Sequence, residues 1–279
     1  MTPQTIVQIE SFYPQLLEQV YRATPGLQDQ PFEQQIAQLL GTGFSGGHNV
    51  APCLDPSRWT AHYIVLNNRP SQQRWAREHG LAPDIGSSEL LLAQLRHLKP
   101  QVLYLSDIPG FDFRLLEALS PRPFVVGWHA TTVSPQIPWS AFDLVLSGIQ
   151  GIRDEVLARG ARAAADFMPA APPYLHLGSQ PAGQPGPVFF GSFYGAIHQE
   201  RAEQFRRLSR AIGDAGLDIY TPQPFATGPE DRIRFHPAVY GMDVIRVYAR
   251  YGMVLDSRGD FNLGDGQRAR ESSNMRIFE

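Results

Sequence analysis

The chain has 279 residues, 43% of them hydrophobic and 18% charged, with a formal net charge of −3. That balance supplies a packed core and excludes both a disordered chain and the basic footprint of a nucleic-acid binder. Cys53 is the one cysteine, which excludes an internal disulfide. The opening MTPQTIVQIE has neither the basic nor the apolar part of a secretion signal, and no apolar run nears the roughly 18 residues of a transmembrane segment, so the expectation is a soluble cytoplasmic protein.

The first forty residues read as helices. In SFYPQLLEQVYRA, Phe12, Leu16 and Val20 share a face; in PFEQQIAQLL, Pro31 opens a helix that carries Phe32, Ile36, Leu39 and Leu40 inward. AHYIVLNN is then a strand, and SQQRWAREHG a helix closed by Gly80. SSELLLAQLRHLKP is a helix with serine caps, QVLYLSD a strand, FDFRLLEALS a helix, and PFVVGWHA and DLVLSGI strands. IRDEVLARG is a helix and AADFMPAA a strand. Short apolar runs alternating with helices imply parallel strands covered on both faces.

The stretch PPYLHLGSQPAGQPGP is rich in Pro and Gly and reads as a linker. Beyond it PVFFGS is a strand, HQERAEQFRRLSRAIGDAG a helix, LDIYTP a strand, PAVYGMDVIRVYARYG a helix and MVLDS a strand. The expected fold class is α/β with two doubly wound, Rossmann-like lobes: residues 1–172 with leading helices, a linker at 173–186, and a second lobe at 187–279 that is short of strands.

Several motifs compete for the chemistry. GTGFSGG fits both G-x-G-x-x-G, through Gly41, Gly43 and Gly46, and G-x-S-x-G around Ser45. Both need a strand before and a helix after, whereas a helix is expected before this segment, so a glycine-rich loop is the plainer reading. GDFNLGDGQRARE places Asp260, Asn262, Gly264 and Glu271 as in a calcium loop, but Asp265 stands where glycine is required. The eight histidines form no ligand spacing and there is no D-x-D, so no metal and no cofactor are expected.

VFFGSFYGAIHQER runs from a strand through Gly191 and Ser192 towards a helix, where bare backbone N–H groups and a positive dipole end suit phosphate. ESSNMRIFE repeats the device: Ser272, Ser273 and Asn274 start a second helix, and Glu279 has the two acceptor oxygens that clamp a ribose diol. His129 in VVGWHATT and Asp107 after VLYLS lie just past strand ends, where open α/β sheets bind ligands.

Together these stretches resemble a family. ESSNMRIFE resembles the E-x7-E helix of glycosyltransferases with the GT-B fold, and more narrowly the group related to the spore-maturation protein CgeB. PAVYGMDVIRVYARYGMVLD, VFFGSFYGAIHQER and NNRPSQQRWAREHGL are similar to further segments of that group, in the same order; VLDSRG departs from it where the family carries Asn and then His. The resemblance implies that Glu279 holds the nucleotide ribose, Glu271 approaches the donor sugar, and Asn274 and Arg276, with the helix start at Ser273, face the diphosphate. It implies that Gly191 and Ser192 lie under the phosphates and that His129 stands near the donor sugar, facing the cleft between the lobes. The implied activity is metal-independent transfer of a sugar, with retention of configuration, from a nucleotide-sugar donor to an acceptor (glycan, protein or small molecule) that the sequence does not name. An α/β hydrolase using Ser45, and a non-catalytic nucleotide-sugar or sugar-binding protein, remain open alternatives. The helix begun at Ser272 stops at Glu279, short of the roughly 12–15 residues that an isolated helix needs, so a longer natural chain that completes the donor lobe is also expected.

Overall fold

The structure is a computed structural model that describes residues 3–168, 183–193 and 198–256. The chain divides into two compact units, Met1–Pro172 and Pro173–Glu279. Each is an α/β unit built on a parallel sheet.

The first unit runs β1 (Gln4–Glu10), α1 (Pro14–Ala23), α2 (Phe32–Gly41), β2 (Trp59–Val65), α3 (Arg69–Glu78), α4 (Ser87–Leu98), β3 (Val102–Leu105), β4 (Phe124–Trp128), β5 (Leu144–Leu146), α5 (Gln150–Ala158) and β6 (Ala164–Ala165). Its strands lie in the order β2-β1-β3-β4-β5-β6, every pair parallel. The chain therefore reverses its direction of winding between β1 and β3, and such switch points open a crevice at the carboxyl ends of the strands.

β1 corrects the expectation of a wholly helical start. Ile6, Val7, Gln8, Ile9 and Glu10 are all buried, because both faces of this inner strand are covered. Val7 and Ile9 join Leu91 and Leu95 of α4 and Leu103 and Leu105 of β3 in the main core. The opposite face carries Gln8 and Glu10 beneath the glycine-rich loop that follows α2. There Gln8 Nε2 donates to the His48 carbonyl at 2.9 Å and its Oε1 accepts from the Ala51 N–H at 2.9 Å. A fully covered strand loses the in-out alternation by which strands are usually read.

Two further elements differ from the sequence reading. Residues Phe113–Ala118 form a 3-10 helix, capped where the Asp112 carboxylate accepts from the Arg114 N–H. Gly86, not a serine, caps α4. Among the described residues no helix is long and apolar enough to cross a membrane.

The second unit runs β7 (Gln184–Phe190), α6 (Gln199–Ala211), β8 (Leu217–Tyr220), β9 (Ile233–His236), α7 (Met242–Tyr248) and β10 (Tyr251–Val254). The order is β10-β7-β8-β9, again parallel. Phe189, Leu217 and Ile219 pack on Ala202 and Phe205 of α6, whereas Val188 and Phe190 pack with Val247 of α7 on the other face. β9 was not expected from the sequence: IRFH is short and half polar, and it is fixed by its pairing with β8.

Candidate functional site

At the carboxyl ends of β3 and β4 lies an open depression of about 280 Å³, lined by Ser106, Asp107, Ile108, Pro109, Trp128, His129, Ala130 and Thr131. Two glycines are required by close packing beside it. A Cβ on Gly110 would sit 2.5 Å from the Asp107 carboxylate, and one on Gly127 would sit 2.5 Å from the Phe142 ring.

His129 follows β4 directly and is 4% exposed. Its Nε2 lies 3.1 Å from the Thr132 carbonyl. A carbonyl only accepts, so this nitrogen carries the ring proton. Burial holds its pKa below the ordinary value, against the opposing pull of the Thr132 and Thr131 backbone. The ring packs edge-on to Trp139, with centroids 5.1 Å apart. His129 thus belongs to the wall of the depression in the neutral state, tied to its own loop.

Beneath the depression, where β1 ends, is a buried polar network centred on Glu10. The Tyr63 hydroxyl of β2 bonds both Glu10 Oε2 and, at 2.8 Å, Asn49 Oδ1. Ser106 Oγ lies 3.3 Å from Glu10 Oε2 and 3.2 Å from the Ile9 carbonyl. Ser45 also bonds the carboxyl, and burial, only partly offset by these bonds and reinforced by Asp107, raises Glu10 to about 7. Beside it, the buried His48 ring packs tilted against Trp128, with centroids 3.8 Å apart. Its Nδ1 has no partner, and burial lowers it to about 4.

Ser45 is therefore a member of the Glu10 network. It has a left-handed φ of 54° and lies between α2 and a short 3-10 turn at Gly46–His48. The strand-turn-helix setting of a hydrolase nucleophile is missing, as is that of a dinucleotide fingerprint. The glycines serve a loop that closes over the polar face of β1.

In the second unit, Gly191 donates its N–H to the Tyr220 carbonyl at 3.2 Å. It is not a free donor for phosphate, contrary to expectation; the sheet uses it. A Cβ there would lie 2.7 Å from the Phe189 ring, so packing accounts for the glycine. The Ser192 carbonyl accepts from Arg201 Nη1 at 3.0 Å. Glu271, Ser273, Asn274, Arg276 and Glu279, with Ser272 and the calcium-like loop from Asp260, lie outside the described residues.

The carboxyl ends of β7, β8 and β9 carry a row of rings. Phe190 stacks on Tyr220 at 4.7 Å and Tyr220 on His236 at 4.6 Å. Asp218 anchors the row, accepting from Arg234 Nε and Nη2 at 2.8 and 2.7 Å and bonding His236 Nε2 at 2.6 Å. Burial pushes the Asp218 carboxyl up, but the bonds from Arg234 and His236 outweigh it and hold it below its ordinary value.

No family model matches the chain, and no curated protein matches it. Among solved structures, it is similar to a UDP-N-acetylglucosamine 2-epimerase from Rickettsia bellii, at 12% identity over 90% of this chain and 73% of that one, with a TM-score of 0.44. It is similar to a UDP-GlcNAc 2-epimerase from Neisseria meningitidis bound to UDP-GlcNAc, at 9% identity over 92% and 79%, with a TM-score of 0.45. An alpha-glucosyltransferase in complex with UDP-glucose and DNA containing an abasic site is similar at 10% identity over 91% and 72%, with a TM-score of 0.45.

Proposed function

We propose that the chain is a glycosyltransferase of the two-lobed GT-B kind, moving a sugar from a nucleotide-sugar donor to a hydroxyl-bearing acceptor. One observation carries the reading: a single chain holds two separate parallel sheets, each with ligand-type chemistry at its carboxyl ends. A transfer between two bound substrates needs two such places. In the first unit Ser106, Asp107, Trp128 and His129 form the acceptor depression. The second unit takes the donor, with the nucleotide-binding roles that the resemblance gives to Glu279, Asn274, Arg276 and Ser273 outside the described residues. Charge grows on the leaving diphosphate, and Arg276, in the role that the resemblance gives it, stabilises that charge without a metal. Retention of configuration is tied to Glu271 and Glu279, and NMR of the product anomer reads it.

The test is a panel of nucleotide sugars incubated with the full chain and water as acceptor, reading released nucleoside diphosphate. Release from at least one donor is expected. Binding of donors with no release from any would favour a nucleotide-sugar-binding protein instead.

A further inference from the structure

The Glu10 network has a property that packing alone does not require. The Tyr63 hydroxyl has one proton and two acceptors, Glu10 Oε2 and Asn49 Oδ1, the latter at 2.8 Å. The orientation of Asn49 is fixed by its Nδ2, which faces the Phe44 carbonyl at 3.4 Å. The Ser106 hydroxyl likewise has one proton and two acceptors, Glu10 Oε2 at 3.3 Å and the Ile9 carbonyl at 3.2 Å. When Glu10 is ionised, both hydroxyls turn their protons to it. When Glu10 is protonated, its own O–H donates back, Tyr63 turns to Asn49, and Ser106 turns to Ile9. In either state the Tyr63 and Ser106 protons keep an acceptor, so the network can gain or lose a proton without stranding either hydroxyl donor.

One member of the network reaches the surface. Ser106 bonds Glu10 on one side and lines the depression on the other. The carboxyl lies at the end of β1, at the switch point where the sheet offers its crevice. The groups facing it are Tyr63 from β2, Tyr104 from β3, Asp107 beyond β3, and Ser45 from the glycine-rich loop. None of these four supplies a cation to hold Glu10 ionised. Burial is the largest influence and brings the carboxyl to about 7, where a general base works best.

We propose that Glu10 is the destination of the proton lost by the acceptor hydroxyl, and that Ser106 carries the proton to it. This rests on the glycosyl-transfer reading given above. As the acceptor oxygen bonds the anomeric carbon, the bond from that carbon to the diphosphate oxygen breaks and its electron pair leaves with the diphosphate. The acceptor's proton passes to Ser106 Oγ while the serine's own proton moves to Glu10 Oε2. The carboxylate ends as a neutral acid, and Tyr63 and Ser106 turn to their second acceptors. Ser106 is then the group that touches substrate, and Glu10 acts through it.

The experiment uses the full chain with UDP-glucose and UDP-N-acetylglucosamine as donors and water as acceptor, across pH 5 to 9, with UDP affinity measured in parallel by calorimetry. Wild type, Glu10→Gln, Ser106→Ala and Asp107→Asn are compared, and infrared titration follows the Glu10 carboxyl. The expected result is a wild-type kcat that rises with pH around the infrared midpoint of Glu10. Glu10→Gln should lower kcat about a hundredfold and flatten the profile, with KM and UDP affinity unchanged. Ser106→Ala should do the same while Glu10 still titrates. If Glu10→Gln does not fold, Ser106→Ala decides, because it removes the carrier and leaves Tyr63, Asn49 and Glu10 bonded together. An unchanged profile in the folded variants, or a profile removed by Asp107→Asn alone, overturns the relay and leaves the transfer reading standing. So does a wild type that binds UDP but turns over neither donor. A wild type that binds no nucleoside diphosphate of any base overturns the transfer reading, and the relay with it.

Discussion

At the residue scale, Glu10 and His48 lie under the same loop, and burial shifts them in opposite directions, to about 7 and about 4. Between about 4.5 and 7 the folded chain keeps a proton on Glu10 that the unfolded chain has lost. Stability from this group therefore falls as pH rises through that window. His48 works the other way. Below its ordinary 6.5 the unfolded chain takes up a proton that the fold refuses until about 4, so its contribution falls as pH drops. The two slopes oppose each other where the windows overlap. Glu10→Gln removes one of them. Its stability relative to wild type should climb as pH rises from about 4.5 to 7, by at most roughly 3 kcal/mol. Urea unfolding at stepped pH reads the difference, and a pH-independent difference would contradict the assignment. Neither residue was visible in the sequence as a site. Glu10 ends the apolar stretch TIVQIE, and nothing local says that a loop from beyond α2 will bury it. His129 was legible as a strand-end residue, but the direction of its ring was not, because the Thr132 carbonyl settles it. Gly191 was legible as a strand-end glycine, and the contact that requires it, the Phe189 ring, was not.

At the element scale, β4 couples the core to the depression. Gly127 is buried between Phe142 and Ile108, both within 3 Å of where a Cβ would sit. Gly127→Ala should overpack this layer and cost about 1–3 kcal/mol, and it should displace Trp128, the next residue and part of the wall. Thermal unfolding reads the first effect and tryptophan fluorescence the second; an alanine variant with wild-type stability and spectrum would show that the strand gives way freely. Elements with a clear period were legible. Leu90, Leu91, Gln94 and Leu95 are the buried residues of α4, at the spacing of a helical face. β1 was missed for the opposite reason: five consecutive buried residues carry no alternation. β9 was missed because four half-polar residues become a strand only through β8. The Phe113–Ala118 turn had helical composition, and the Asp112 cap and its tight geometry make it 3-10.

At the scale of the whole molecule, the sequence rhythm carried the two-unit α/β organisation, because strand and helix periods alternate along both halves. The strand order in each sheet was not legible, since it depends on contacts distant in sequence. The donor roles assigned to Glu271, Ser273, Asn274, Arg276 and Glu279 rest on the resemblance alone. Nucleotide binding is expected to be independent of metal: affinity for a nucleoside diphosphate that binds should be the same in EDTA as in its absence, and a loss restored by manganese would replace the role given to Arg276 with a metal-bridged diphosphate. The most direct measurement is thermal unfolding of the full chain against a panel of nucleoside diphosphates. A ligand at a hundred times its Kd stabilises the folded state by about 2.7 kcal/mol, so the account predicts a melting temperature several degrees higher with at least one of them. A melting temperature unmoved by every nucleoside diphosphate and nucleotide sugar would contradict it.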